Sequence, residues 1–126
     1  MKIFDTNAVL RYILRDNPAM ADIVEKELET DNQCLIPVEV IAEMVYVLSK
    51  VYQIERIRIK QAIEAVANID SSIIEHQEAV LHALQVYSAS TLDFIDCVLI
   101  GYVKEYDYEI FTFDKKLKSR LSAKRS

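Results

Sequence analysis

Four carboxylates stand where neighbouring residues give them little structural company: Asp5, Glu43, Asp96 and Asp114. Asp5 follows the strand-formers Ile3 and Phe4 and precedes Thr6 and Asn7, where a helical pattern begins. Asp114 follows Thr112-Phe113 at the end of another apolar run, and Glu43 and Asp96 interrupt otherwise apolar helical segments. A carboxylate taken out of water persists by pairing, by protonating or by binding a metal. Pairing is the structural alternative, but basic residues are nearly absent beside Glu43 and Asp96 in the chain. If the four converge, mutual repulsion raises their proton affinity unless a cation sits among them. An oxygen-only ligand set suits Mg2+ or Mn2+, not zinc. Such a site commonly activates water and steadies the leaving oxygen of a phosphodiester.

Each acid needs an element to present it. The opening MKIFDTN reads as a strand whose C-terminal end delivers Asp5 to the mouth of a helix, the place where open α/β sheets bind ligands. Asp5 or Thr6 would also serve simply as an N-cap. Val9, Leu10, Ile13 and Leu14 follow helical spacing, with Arg11 and Arg15 on another face. Asn17-Pro18 restarts the chain, and Met20, Ile23, Val24 and Leu28 predict the buried stripe of a second helix ended by Asp31-Asn32. Cys34 to Ile36 reads as a strand, and Pro37 opens a helix to about Tyr52. Its Val38–Ser49 span is apolar almost all round and predicts burial on most sides. Glu39 lies in its first turn, where the helix dipole favours it; Glu43 lies in the interior without that excuse.

A polar helix from Glu55 to Asn68 turns Ile59, Ile63 and Val66 inward, and Ser71 to Glu75 predicts a short strand. Gln77 to Tyr87 is helical again. Ser90-Thr91-Leu92-Asp93 fits a capping box, which gives Asp93 a structural role that Asp96 lacks. The helix that carries Asp96 runs to Tyr106, and Glu109 to Phe113 predicts the last strand. Leu117 and Leu121 give a final short helix one apolar side. His76 and His82 read as surface or satisfied core histidines, since neither has a second ligand at metal-site spacing.

The bulk properties narrow the classes. A chain of 126 residues predicts one domain, 1–126, with 52% hydrophobic and 28% charged residues. No apolar run approaches a membrane span, and the acidic N-terminal stretch argues against a signal peptide, so a cytoplasmic protein is expected. Cys34 and Cys97, each in an apolar segment, predict buried thiols rather than a disulfide. From Asp114 onward six basic residues face Asp114 alone, a balance of +5 that leaves −10 on the other 113 residues of a chain whose net charge is −5. An acidic body with a basic end from about residue 115 suggests an anionic partner approached from one side; a solvated tail is the plainer reading.

The opening DTN with Arg11 behind it, Ala42-Glu43 in a Val-rich helix, Asp93-Phe94-Ile95-Asp96 and Thr112-Phe113-Asp114 together resemble the PIN-domain nucleases. Within these the chain looks most like the VapC-type ribonuclease toxins of prokaryotic toxin–antitoxin pairs. The resemblance runs from the first strand to the last helix. It implies an α/β, three-layer fold with a central, mostly parallel sheet of four to five short strands flanked by about seven helices. The family's acidic quartet maps onto Asp5, Glu43, Asp96 and Asp114. Asp93 falls on a commonly acidic auxiliary position, and Thr6, Asn7 and Thr112 on polar positions around the metal. The implied activity is a Mg2+- or Mn2+-dependent endoribonuclease leaving 5′-phosphate and 3′-hydroxyl ends. Glu43 would position or deprotonate the attacking water. Arg11, Lys115 and Lys116 are the candidate contacts to RNA phosphates. Also implied are a homodimer and a cognate antitoxin, which would dock near Leu10, Leu14 and Ile23 and place a cation among the acids.

Two other classes share part of this pattern. Haloacid-dehalogenase-type phosphatases also open on a strand ending in Asp, but they need a second Asp two residues later, where this chain has Asn7. A non-catalytic PIN-like domain that binds RNA or protein, with its acids used structurally, is the remaining alternative.

Overall fold

The computed structural model describes residues 1–30 and 32–125, with side chains to Ser122. Asp31, expected to end the second helix, and the Lys124 and Arg125 side chains of the basic end lie outside the described residues. Three short strands, β1 (Lys2–Ile3), β2 (Cys34–Ile36) and β3 (Ser72–Ile74), form a parallel sheet in the order β1-β2-β3. Lys2 registers with Cys34, and Leu35 with Ile73. Parallel neighbours require crossover connections, which helices supply. The pair α1 (Thr6–Leu14) and α2 (Pro18–Leu28) joins β1 to β2, and α3 (Val38–Lys50) with α4 (Arg56–Ala67) joins β2 to β3. Then come α5 (Gln77–Ser88), α6 (Phe94–Tyr106) and α7 (Lys115–Arg125). The α/β class and the seven helices agree with the expectation.

The sheet is smaller than expected because Glu109–Phe113 is not a strand. Its burial alternates as a strand's would: Ile110 and Thr112 are half-buried, while Phe111 and Phe113 are 90% and 83% exposed. It nevertheless forms no ladder with the edge strand β1 among the described residues. With two residues, β1 offers too few backbone groups to hold another strand.

The core closes around β2, where Cys34 and Ile36 are fully buried beneath Ile41, Met44 and Leu48 of α3, Ile59 and Ile63 of α4, and Leu84 of α5. Both cysteines are buried free thiols, and burial pushes Cys97 up to about 11. Asn17 caps α2 through its side chain at 3.1 Å from the Met20 N–H, with Pro18 in the first turn, as the sequence signals. The buried stripe of α2 is different, however. Ala21 and Leu28 are buried, whereas Met20 and Ile23 are exposed, on a helix that packs against α1.

The burial of α3 is also one-sided. Ile41, Met44, Val45 and Leu48 are buried, while Glu39, Glu43, Tyr46 and Lys50 face solvent. Its apolar composition overstates its burial because α3 packs on α1, α4 and α6, and the opposite face is left uncovered among the described residues. Glu43 is therefore a solvent-facing acid, not a buried one.

One helix contact is unusually close. Gly101 in α6 is the only glycine of the chain, in a helix interior where glycine costs about 1 kcal/mol relative to alanine. A Cβ there would stand 2.3 Å from the carbonyl oxygen of Ala79 in α5. The two helix backbones approach as closely as they do because that Cβ is missing.

Candidate active site

Parallel strands bring their carboxyl ends to one edge of the sheet, and two acids, Asp5 and Glu75, follow strands there. Asp5 follows β1 there and is exposed; its Oδ1 accepts the Ala8 N–H at 2.9 Å, capping α1. At the end of β3, Glu75 Oε1 accepts the Val38 N–H at 3.1 Å and so caps α3, the helix that carries Glu43. Asp114 is the matching acid at the start of α7, its Oδ1 accepting the Leu117 N–H at 2.9 Å. The Thr112 hydroxyl oxygen accepts the Asp114 N–H at 3.0 Å and steadies that turn. Asp5 is thus both the cap that a plain reading suggests and a carboxylate presented at the ligand-binding edge.

Asp93 departs from the expected capping box. It occupies the N-cap position of α6 with extended backbone angles, yet makes no capping hydrogen bond through its side chain. Ser90 instead donates to the Val86 carbonyl at 2.7 Å, closing the end of α5, so α6 begins three residues later than the box requires. Asp96 then falls in the first turn of α6, where the helix dipole favours a carboxylate. Its carboxyl is nevertheless pushed above the ordinary range, first by desolvation and then by the charges of Asp114 and Asp93. Thus the fold brings Asp93, Asp96 and Asp114 together from two segments. Glu43 lies on the exposed face of α3, a helix that packs on α1 and α6.

The polar neighbours divide. Thr112 holds the Asp114 turn, Asn7 is exposed beside Asp5, and Thr6 is buried under the first turn of α1. Arg11 is engaged locally: its Nη1 donates to Asp16 Oδ1 at 2.8 Å, so much of its charge is answered before any phosphate arrives. Lys115 and Lys116 are exposed and line a groove of about 470 Å3 with Ser90, Thr91, Ser119 and Arg120. On the other flank of the α6 start, a second hollow of about 510 Å3 lies against α3 and includes Asp93 and Asp96 in its wall.

Sequence reasoning missed Arg56. Its Nη1 donates to the Leu92 carbonyl at 2.6 Å and to that of Tyr87 at 3.1 Å, and its guanidinium stacks over the Tyr87 ring at 4.0 Å. It ties α4 to the loop that delivers Asp93. Nothing near Arg56 in the chain signals this, because its partners lie 31 and 36 residues away.

The donors are all oxygens, which suits a hard divalent cation, and Asp96 is raised by desolvation and then by the charges of Asp114 and Asp93. No three of these groups form a ready-made cage among the described residues. Mg2+ does not need one, since it keeps several waters and takes one or two carboxylates together with substrate phosphate. Asp96 and Asp114, which are close enough for their charges to interact, are oxygen donors that could hold it, and Asp5 stands at the carboxyl end of β1.

Comparison with known proteins adds three findings. The chain matches the PIN domain over residues 2–120. It is 28% identical over 122 residues to a VapC ribonuclease of Aquifex aeolicus (strain VF5), covering 94% of this chain and 90% of that relative. No solved structure matches it significantly.

Proposed function

The chain belongs to the PIN-domain family, and from that premise we propose that it is a Mg2+- or Mn2+-dependent endoribonuclease, the toxin of a type II toxin–antitoxin pair. The observation that carries this reading is a set of acids without structural employment. The side chains of Glu43, Asp93 and Asp96 make no hydrogen bond or ion pair with the described residues. The likeness to a VapC ribonuclease supports RNA as substrate.

A divalent cation, when bound, supplies Lewis acidity toward a phosphodiester and water. Asp5, Asp96 and Asp114 would hold it, with Asp93 auxiliary. Glu43, on the solvent face of α3, orients the attacking water and accepts its proton. Attack in line at phosphorus breaks the bond to the 3′-oxygen, leaving 5′-phosphate and 3′-hydroxyl ends. Thr112 keeps the Asp114 turn in place, and Asn7 and Thr6 support the Asp5 side. The whole of residues 1–126 acts as one domain, its basic end facing the RNA.

Purified protein is expected to cleave RNA in Mg2+ or Mn2+ and to stop when a chelator is added. Cleavage that persists in excess chelator removes the metal from the reading. The non-catalytic alternative has one observation in its favour, since Asp5 and Asp114 each cap a helix. Absence of cleavage by folded, metal-loaded protein would establish it.

Lys115 and Lys116 supply sequence-blind affinity for phosphates. Lys118 is less free, its Nζ lying 6.0 Å from the Phe113 ring centroid. Replacing all three by Gln is expected to weaken RNA binding and to flatten the slope of log affinity on log salt by about 2, at roughly 0.7 per contact on a single strand. An unchanged slope would make the basic end a solvated surface.

In the cytoplasm such an activity calls for a cognate antitoxin, and a homodimer would set two acidic sites along one groove. An antitoxin Arg or Lys placed among Asp5, Glu43, Asp96 and Asp114 would block the phosphate path. Its apolar side cannot use Leu10, which is buried, but Met20 and Ile23 on α2 are exposed.

A further inference from the structure

We propose that the hollow between α3 and the start of α6 is a nucleobase-binding subsite, seating the base of a nucleotide next to the scissile phosphate. The inference rests on the ribonuclease reading and says where the base beside the scissile phosphate is held. Asp93 and Asp96 form part of the hollow's own wall, so a phosphate held by the acids puts the neighbouring nucleotide at its mouth. The two flanks of the α6 start differ in chemistry. Toward α7 the lining is hydroxyls and cations, suited to a sugar–phosphate backbone. Toward α3 an aromatic and aliphatic surface is added to the charged groups: Val45, Tyr87 and Phe94 make a buried floor, with Arg56 stacked on the Tyr87 ring, and Tyr46 and Ile95 form exposed walls.

Those walls are exposed without a folding reason. Tyr46 is 63% and Ile95 56% accessible, and each sits beside a site acid. Tyr46 lies three residues beyond Glu43 on the same solvent-facing stripe of α3, while Ile95 lies between Asp93 and Asp96. Apolar surface rimmed by polar groups marks a binding groove more often than a folding defect. An aromatic face beside a phosphate site accepts any base by stacking. Ser49 and Lys50 supply polar groups at the same hollow, and neither has a hydrogen-bond or ion-pair partner among the described residues. About 510 Å3 accommodates a base with its ordered water.

The test uses an RNA oligonucleotide whose cleavage position has been found by product sequencing. Two further versions carry an abasic residue immediately 5′ or 3′ of that position. Cleavage is measured with the wild-type protein, and binding by fluorescence anisotropy with Asp5→Asn, which retains a good helix cap. One abasic position is expected to weaken both binding and cleavage roughly 10-fold, the size of one base–aromatic stack. Tyr46→Ala should lose a similar factor on intact RNA and nothing more on that abasic RNA, while Tyr46→Phe keeps the wild-type preference. Indifference to both abasic positions overturns the proposal, as does an equal loss by Tyr46→Ala on all three RNAs. If Tyr46→Ala instead splits a dimer in sedimentation and leaves base discrimination intact, the face is a contact between copies and the subsite is wrong. Absence of both cleavage and binding on intact RNA brings down the ribonuclease reading itself, and the subsite with it.

Discussion

Asp96→Asn is expected to reduce RNA cleavage by at least 10²–10³-fold, the usual order for losing a group that serves the charge of the transition state, with the helical circular dichroism unchanged. Asn keeps the size of the side chain and its place in the first turn of α6, but it cannot supply the negative charge that a cation needs. The same substitution should raise thermal stability in metal-free buffer at neutral pH. The sign follows from the direction of the shift. The folded protein holds the Asp96 proton more tightly than the unfolded chain does, because of desolvation and the charges of Asp114 and Asp93. Stability is then lost as pH rises from the ordinary carboxylate range through the raised folded value, and above that window the ionised group works against folding. The stabilising effect of Asn should therefore vanish below the window. A variant that loses activity and also loses stability at neutral pH would show Asp96 to be a structural acid.

Asp93→Asn sharpens the comparison. A capping box would make it a stability change of about 1 kcal/mol with activity retained. Since the side chain makes no capping bond, its loss should leave stability nearly unchanged and lower cleavage by less than Asp96→Asn does. Full inactivation by both would move Asp93 from an auxiliary place into the metal-holding set.

The largest stability effect is expected at Gly101. Gly101→Ala places a methyl group 2.3 Å from a backbone oxygen of α5, and neither helix has a flexible side chain there to yield. Helix propensity alone favours alanine by about 1 kcal/mol, so a neutral site would be stabilised. Overpacking should prevail, for a net loss of about 2 kcal/mol and a Tm lower by roughly 5–10 °C. The displaced helix is the one that carries Asp93 and Asp96, so cleavage should fall as well. A Tm equal to or above that of the parent chain would mean that α5 and α6 separate more easily than their packing indicates.

Much of the architecture was legible because it is written locally. Asn17-Pro18 announces the start of α2 through a cap that needs only three residues, and the inward faces of α4 and α5 follow from 3.6-residue spacing. The short strand at Ser72–Ile74 was likewise readable, although it is only three residues long. The errors share one cause. Met20, Ile23 and the apolar flank of α3 were read as buried because they are apolar, but burial depends on what another segment lays over them. Glu109–Phe113 has the alternation of a strand and lacks a long enough neighbour to pair with.

For the site, the order of the acids and their contexts in the chain were enough to indicate the family and to single out Asp5, Glu43, Asp96 and Asp114 as candidates. Chain order could not say that Glu43 faces solvent, or that Asp93 is released from capping because Ser90 turns to α5. Nor could it say that Asp114 approaches Asp96 closely enough to help raise its carboxyl, or that Arg56 holds the loop leading into Asp93. Caps and periodicity act within one helical turn, and a sequence displays them directly. Coulomb repulsion, desolvation and shared walls act through space between residues tens of positions apart, and only the packing of α3, α6 and α7 decides which of them meet.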